Sequence, residues 1–212
     1  MVSTLALYDD PNWISPDAIF CQATKTDNGF NLEGSKPFVN GATLSNWLFL
    51  AIKSKSGLIL AKLEKDQCDV QFEPTMDETK VMGRVDLNGL RVDQSDCMIL
   101  SEEDLSTLTN YGAVAVTAEM VGAAQSLLDL TSNYTKERIQ FGKPIGQYQG
   151  VKHRLAEMFV DIESFRSLCY FAAWAVDDSP NDVTRAVSLA KGYASDAFAP
   201  VSYTHLTLPT KA

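Results

Sequence analysis

A chain of 212 residues, 45% hydrophobic and 21% charged, can build one large domain or two small ones, each with a real core. Its formal net charge of −9 argues against a general nucleic-acid or anionic-membrane binder, since both need basic surface, but leaves room for a local basic site for a phosphorylated cofactor. Cys21, Cys68, Cys97 and Cys169 stand far apart, without a Cys-x-x-Cys or paired histidines, so free buried thiols in a reducing compartment are expected and a metal site is not.

Met1 to Leu7 has neither the basic start nor the apolar run of a signal peptide. The longest apolar stretch, Ala113 to Leu130, carries Glu119, Gln125 and Asp129, which favours a helix buried in protein over one crossing lipid. A cytoplasmic protein is the resulting expectation.

The first hundred residues carry strand signals. Phe30 and Leu32 alternate with polar neighbours before Gly34-Ser35, and short apolar runs at Trp47–Lys53 and Leu58–Leu63 flank Lys55-Ser56-Gly57. Val81, Gly83 and Val85 alternate toward Leu87, and Asn88-Gly89 is the strongest short hairpin signal in the chain. These features predict a small antiparallel β-sandwich or barrel over residues 1–100.

The period changes at Ser101, where a hydroxyl followed by Glu103 and Asp104 predicts a helix start. A long helix is expected from Leu105 to about Phe141, with a break near Asn110-Tyr111-Gly112 and a stop at Gly142 and Pro144. Its middle is apolar on nearly every side, as in a central bundle helix. Tyr148, Val151, Leu155, Met158, Phe159, Ile162, Phe165 and Cys169 then define one face of a second helix. After the turn Ser179-Pro180-Asn181-Asp182, a third runs from Val183 to about Phe198. Strands followed by helices give an α+β order, with residues 101–200 forming antiparallel long helices of a truncated four-helix bundle. Residues 201–212, after Pro200, lack a matching period; Ser202 to Lys211 reads as translated adapter sequence, and the segment is expected to be a non-native tail.

General catalytic motifs are absent: no Gly-x-Gly-x-x-Gly, no phosphate-binding loop, no His-Glu-x-x-His and no Gly-x-Ser-x-Gly. His153 is expected on a helix surface or partly packed. The informative block is Arg138-Ile139-Gln140-Phe141-Gly142-Lys143-Pro144-Ile145-Gly146-Gln147-Tyr148-Gln149. A guanidinium can bind a pyrophosphate through two parallel charge-assisted hydrogen bonds, and Phe141 offers a flat apolar surface to an adenine. The bland alternative for Arg138 is a cation at a helix carboxyl end.

This block resembles the R-x-Q-F-G-x-P-I-x-x-x-Q signature of acyl-CoA dehydrogenases. Ala118 to Ala124, Leu155-Ala156-Glu157-Met158, Gly34 to Val39, Asn46-Trp47 and Val85 to Val92 match in the family's order, so the similarity spans about residues 3–199. The chain looks like the middle β-domain and the start of the C-terminal helical domain of a divergent bacterial member. The resemblance implies FAD, an acyl-CoA substrate oxidised to its 2,3-enoyl form, an electron-transfer flavoprotein as acceptor, and a dimer or tetramer sharing FAD across subunits. It assigns Arg138, Gln140, Phe141 and Gln149 to the adenine-dinucleotide part of the cofactor. Phe38, Val39 and Asn40 stand where the family has Trp-Ile-Thr beside the flavin ring, although Phe38 could equally be an inward strand residue.

Two departures from the pattern stand out. Leu5 to Trp13 has no glycine where the family's flavin strand ends in Thr-Glu-Pro followed by glycines and a serine. The catalytic glutamate is expected on a later helix beyond these residues; the family's alternative position falls on Gly112, and Glu119 reads as a structural, hydrogen-bonded residue. No catalytic residue is therefore assigned, and this chain alone is expected to be inactive. Rival readings are a non-catalytic, FAD-supporting subunit of a heteromeric dehydrogenase and an oxygen-using flavoprotein of the same fold.

Overall fold

The computed structural model describes residues 1–10, 12 and 14–206, the side chains of 204–206 excepted. The chain folds as two compact units that divide between Ser106 and Thr107.

The first unit is built from ten strands: β1 (Ser3–Ala6), β2 (Gln22–Lys25), β3 (Gly29–Glu33), β4 (Ser35–Asn40), β5 (Trp47–Ser54), β6 (Gly57–Glu64), β7 (Asp69–Glu73), β8 (Met82–Asp86), β9 (Arg91–Asp93) and β10 (Cys97–Leu100). The alternation read from the sequence is the alternation of burial: Phe30 and Leu32 on β3, and Ile59, Ala61 and Leu63 on β6, all point into one core. β5 and β6 form the predicted adjacent strands, paired from Trp47 opposite Glu64 to Ser54 opposite Gly57.

The strands make a curled seven-stranded sheet, ordered β10-β6-β5-β2-β3-β9 with β1 also on β5, and a three-stranded sheet β4-β8-β7. The expectation of an antiparallel unit needs correction at one place, because β1 and β2 both pair with β5 in parallel. Side-chain alternation reports which face is buried and carries no information on strand direction, which the long connections impose. Asn88-Gly89 makes its turn, with the Leu90 amide on the Leu87 carbonyl at 3.1 Å. It does not close a hairpin, because β8 pairs with β4 and β7 while β9 pairs with β3. The chain uses this turn to change sheets.

Between β1 and β2 the chain is tied down by a buried charge pair. Lys36 of β4 is 0% exposed, and its ammonium meets Asp9 Oδ1 and the Leu7 carbonyl, the latter at 3.2 Å. Asp9 Oδ2 accepts the backbone amides of Phe20 and of Cys21 (2.7 Å), so both carboxylate oxygens are occupied. The cysteines are all free thiols, with Cys21 and Cys169 buried and Cys68 and Cys97 half-buried. Burial pushes the Cys21 thiol from its ordinary 9.0 up to about 12.

The second unit holds three helices; the first, α1, begins just ahead of the division. α1 (Glu102–Glu137) starts at the predicted cap: Ser101 Oγ accepts the Asp104 amide at 3.0 Å while the Asp104 carboxylate accepts the Ser101 amide and hydroxyl. These bonds hold the Asp104 carboxyl below its usual range, so the cap is complete at neutral pH and is lost as acid protonates it. The expected break at Asn110-Tyr111-Gly112 is absent and α1 runs through it. A Cβ built on Gly112 would meet nothing within 4 Å, so the position has room for a side chain.

α2 (Gln149–Asp178) and α3 (Val183–Leu206) complete the unit. Val121, Ala124 and Leu128 of α1 pack with Met158, Ile162, Phe165 and Cys169 of α2, and Ala194 and Val201 of α3 join them. Phe159, assigned to this face by periodicity, is exposed, as are Val116, Leu130 and Tyr134 of α1. By length and composition α1 could cross a membrane, the one such helix among the described residues. Its buried stripe and its Gln125, bonded to Asp129 and to Arg166 of α2, account for it as a bundle helix. Thr117 and Thr131, buried on the same helix, return their hydroxyls to carbonyls four residues back at 2.7 Å.

α3 passes through Pro200, beyond the helix end expected near Phe198. An interior proline costs about 3 kcal/mol; Val201, only 1% exposed in the helical core, offsets part of that. The tail expected from residue 201 is thus helical and packed at its first residue, and residues 207–212 lie outside the described residues.

Lys36→Ala would leave the Asp9 carboxylate buried without its cation and should lower the unfolding free energy by about 3–5 kcal/mol in urea titration; a loss below about 1 kcal/mol would show the pair to be dispensable. Val201→Ala should cost about 1–3 kcal/mol by the same measurement. No loss would mean that α3 ends functionally at Pro200. Because the folded Cys21 thiol is raised, the stability it contributes is full below about pH 9 and declines toward pH 12. Replacing Cys21 with Ala should flatten that alkaline decline.

Candidate functional site

The residues singled out in the sequence fall into two groups, one in each unit. The first, Phe38-Val39-Asn40, closes β4. Val39 is buried in the β core, whereas Phe38 is 45% exposed and Asn40 faces out, its carbonyl accepting the Thr4 hydroxyl at 2.6 Å. The inward placement of Phe38 is therefore excluded. Phe38 has φ of +52°, a left-handed backbone that costs a non-glycine residue on the order of 1–3 kcal/mol. The pairing of β4 with β8 shifts register between Lys36 and Val39, so Phe38 sits on a bulge.

The second group lies between α1 and α2, and its conformation differs from the expected helix end. α1 stops at Glu137, four residues before Phe141, and β11 (Ile139–Gln140) then pairs antiparallel with β12 (Lys143–Pro144). Phe141 and Gly142 are the turn, with φ of +53° and +81°, the two positive values that a type I′ turn demands. Gly142 thus serves a hairpin, where a left-handed helix cap was expected, and Arg138 stands one residue beyond the helix. The hairpin lies close against the end of α1: a Cβ on Gly146 would meet the Thr135 carbonyl at 3.0 Å.

Arg138 is held by its backbone and free at its side chain. Its amide bonds the Tyr134 carbonyl at 2.9 Å and its carbonyl accepts the Ile145 amide at 2.8 Å. The guanidinium is exposed and makes no ion pair among the described residues. Gln140 and Gln149 are exposed, and the Phe141 ring is 85% exposed. Tyr148, which sequence reading placed only on a packing face, organises the group. Its hydroxyl donates to the Gln140 carbonyl at 2.9 Å, its ring stands edge-on to Phe141 at 6.4 Å, and Lys143 Nζ lies 4.4 Å over it.

The donor set suits a dinucleotide. A planar, unpaired guanidinium fits a pyrophosphate, two free carboxamides add neutral donors and acceptors, and an uncovered aromatic face fits an adenine. In the β unit, the exposed Phe38 ring and Asn40 suit the edge of a flat heteroaromatic ring. Glu119, the tempting base, is exposed on α1, as is His153 on α2.

A curled, strand-rich unit followed by long antiparallel helices, the first two joined by a hairpin, defines an α+β architecture. Residues 104–204 match the family model for the acyl-CoA dehydrogenase C-terminal domain. An acyl-CoA dehydrogenase, IpdE2, from Mycolicibacterium smegmatis is 33% identical over 137 residues, covering 65% of this chain and 39% of the relative. The crystal structure of the ChsE4-ChsE5 complex from Mycobacterium tuberculosis superposes with a TM-score of 0.84 at 26% identity, covering 96% of this chain and 54% of that one. An FAD-dependent dehydrogenase superposes with a TM-score of 0.87 at 20% identity, over 96% of this chain and 58% of that one. The helical half of the chain thus carries the acyl-CoA dehydrogenase C-terminal domain, and the chain as a whole is similar to divergent members of that family over part of their full fold. It spans about two-fifths to one-half of the length of the curated relatives it matches.

Tyr148→Phe removes one neutral hydrogen bond from the hairpin and should cost about 0.5–1.5 kcal/mol of local stability, read as faster amide exchange at Ile145 and neighbouring residues. Unchanged exchange would mean that the paired strands and the turn suffice without Tyr148.

Proposed function

We propose that this chain forms the β-domain and the first C-terminal helices of an FAD-dependent dehydrogenase that oxidises an acyl-CoA thioester to its 2,3-enoyl form, passing electrons to an electron-transfer flavoprotein. The observation that carries the reading is the Arg138–Gln149 block, which matches the family signature and folds as an exposed hairpin with an unpaired guanidinium. FAD, when bound, would supply the two-electron acceptor. In this reading Arg138 binds the pyrophosphate, Phe141 covers the adenine, and Gln140 and Gln149 orient the dinucleotide. Phe38 walls the flavin ring, Val39 anchors that wall in the core, and Asn40 offers a hydrogen bond to the ring edge. The hairpin serves a cofactor held mainly by a neighbouring subunit, so the working unit is a dimer or tetramer.

One group of observations supports a second reading, a subunit that supports flavin in a heteromeric dehydrogenase without supplying the base. Gly112 stands at the family's alternative base position, Glu119 is on the surface, and the Leu5–Trp13 segment commits Asp9 to a structural ion pair where the family has a flavin-binding stretch.

In the full-length parent assembled with its partner, Arg138→Ala should weaken FAD retention by roughly ten- to a hundredfold, the range expected on losing a hydrogen-bonded pair to a charged group. Arg138→Lys should restore only part of it, because an ammonium lacks the planar fork. Flavin content after gel filtration, with circular dichroism as the fold control, reads the outcome. Full retention by both variants would reduce Arg138 to a surface cation and remove the reading.

A further inference from the structure

The bulge in β4 takes a backbone donor out of the regular ladder, and a side chain from two strands away meets it. In a strictly alternating strand Lys36 and Val39 would face opposite sides. Both are buried, because the register shift between them inserts an extra outward residue and turns Phe38 into the left-handed region. The Phe38 amide donates to Glu73 Oε2 at 2.6 Å. Glu73 ends β7, and with the order β4-β8-β7 its carboxylate reaches across β8 to do so. Its other oxygen accepts Arg84 Nη2 of β8 at 2.5 Å, and Arg84 Nη1 reaches the Ser35 hydroxyl of β4 at 3.5 Å.

A left-handed phenylalanine persists only where its surroundings over-determine it, and strained residues of this kind gather at ligand sites. Here the strain is confined to the one aromatic that faces outward at the end of β4. We propose that Glu73 is a positioning residue, its carboxylate pinning the Phe38 amide so that the ring is presented beside Asn40, with Arg84 holding the carboxylate in place. The proposal rests on the reading of Phe38–Asn40 as the flavin wall. A charge-assisted bond suits the task, being about twice as strong as a neutral one and short enough to fix a single backbone state.

The test combines amide exchange at Phe38 in this chain with FAD titration of the full-length parent in its assembled form, followed by flavin fluorescence. Glu73→Ala should speed exchange at Phe38 and weaken FAD binding by about tenfold, with circular dichroism unchanged. Glu73→Gln retains an acceptor oxygen and should recover most of both losses. Arg84→Ala, which frees the carboxylate without removing it, should move both readouts in the same direction, and it carries the test if Glu73→Ala does not fold. Phe38 exchange unchanged in Arg84→Ala and Glu73→Ala overturns the proposal, as does faster exchange with unaltered FAD affinity, and either leaves the flavin reading standing. Unaltered FAD affinity in Phe38→Ala of the assembled parent removes the flavin wall, and the proposal with it.

Discussion

A buried ammonium and a buried carboxylate hold the β unit in its observed form. Taking each ion out of water costs several kcal/mol, and attraction alone does not repay that unless the remaining lone pairs and protons are also satisfied. The site meets this condition: Lys36 adds the Leu7 carbonyl, and Asp9 adds the amides of Phe20 and Cys21. The pair thereby fixes the crossover between two parallel partners of β5 and anchors β4 two residues before its bulge. The segment between β1 and β2 thus uses an acidic residue to organise its own backbone.

The two groups of candidate residues are built by the same device. Phe38 and Phe141 are the non-glycine residues with positive φ among the described residues, and each is an exposed aromatic. A left-handed conformation turns a side chain out of the path that regular structure would give it, at a cost that neighbouring bonds must cover. For Phe38 the neighbour is a carboxylate across the sheet. For Phe141 it is the hairpin ladder with Tyr148 beneath it. Rigid presentation of a flat ring lowers the ordering cost of binding a flat ligand.

The helical unit combines a small apolar core with polar links. Ala172, Ala175, Ala186 and Ala190 are all buried, which lets α2 and α3 approach closely, while Arg166 bridges α2 to Gln125 on α1. The outward apolar residues of α1 explain why its sequence looked apolar on nearly every side. Hydropathy records composition around the helix, whereas burial depends on which neighbours are present.

Much of the secondary structure was legible because it is local physics. The β-to-α change at Ser101, the cap at Ser101 and Asp104, the strands around Lys55-Ser56, and the α2 stripe through Met158, Ile162, Phe165 and Cys169 all follow from periodicity and capping. The Arg138–Gln149 block was legible as a pattern, but its shape was not, since a helix and a hairpin share that composition and only packing against the last turn of α1 selects the hairpin. Residues distant in sequence were decided by tertiary structure alone. Asp9 meets Lys36, and Glu73 meets Phe38, across 27 and 35 positions. No spacing rule reaches that far, because strand order and register bring such groups together. Pro200 teaches the same lesson from the other side: its local preference is to end a helix, and Val201 in the core overrides it.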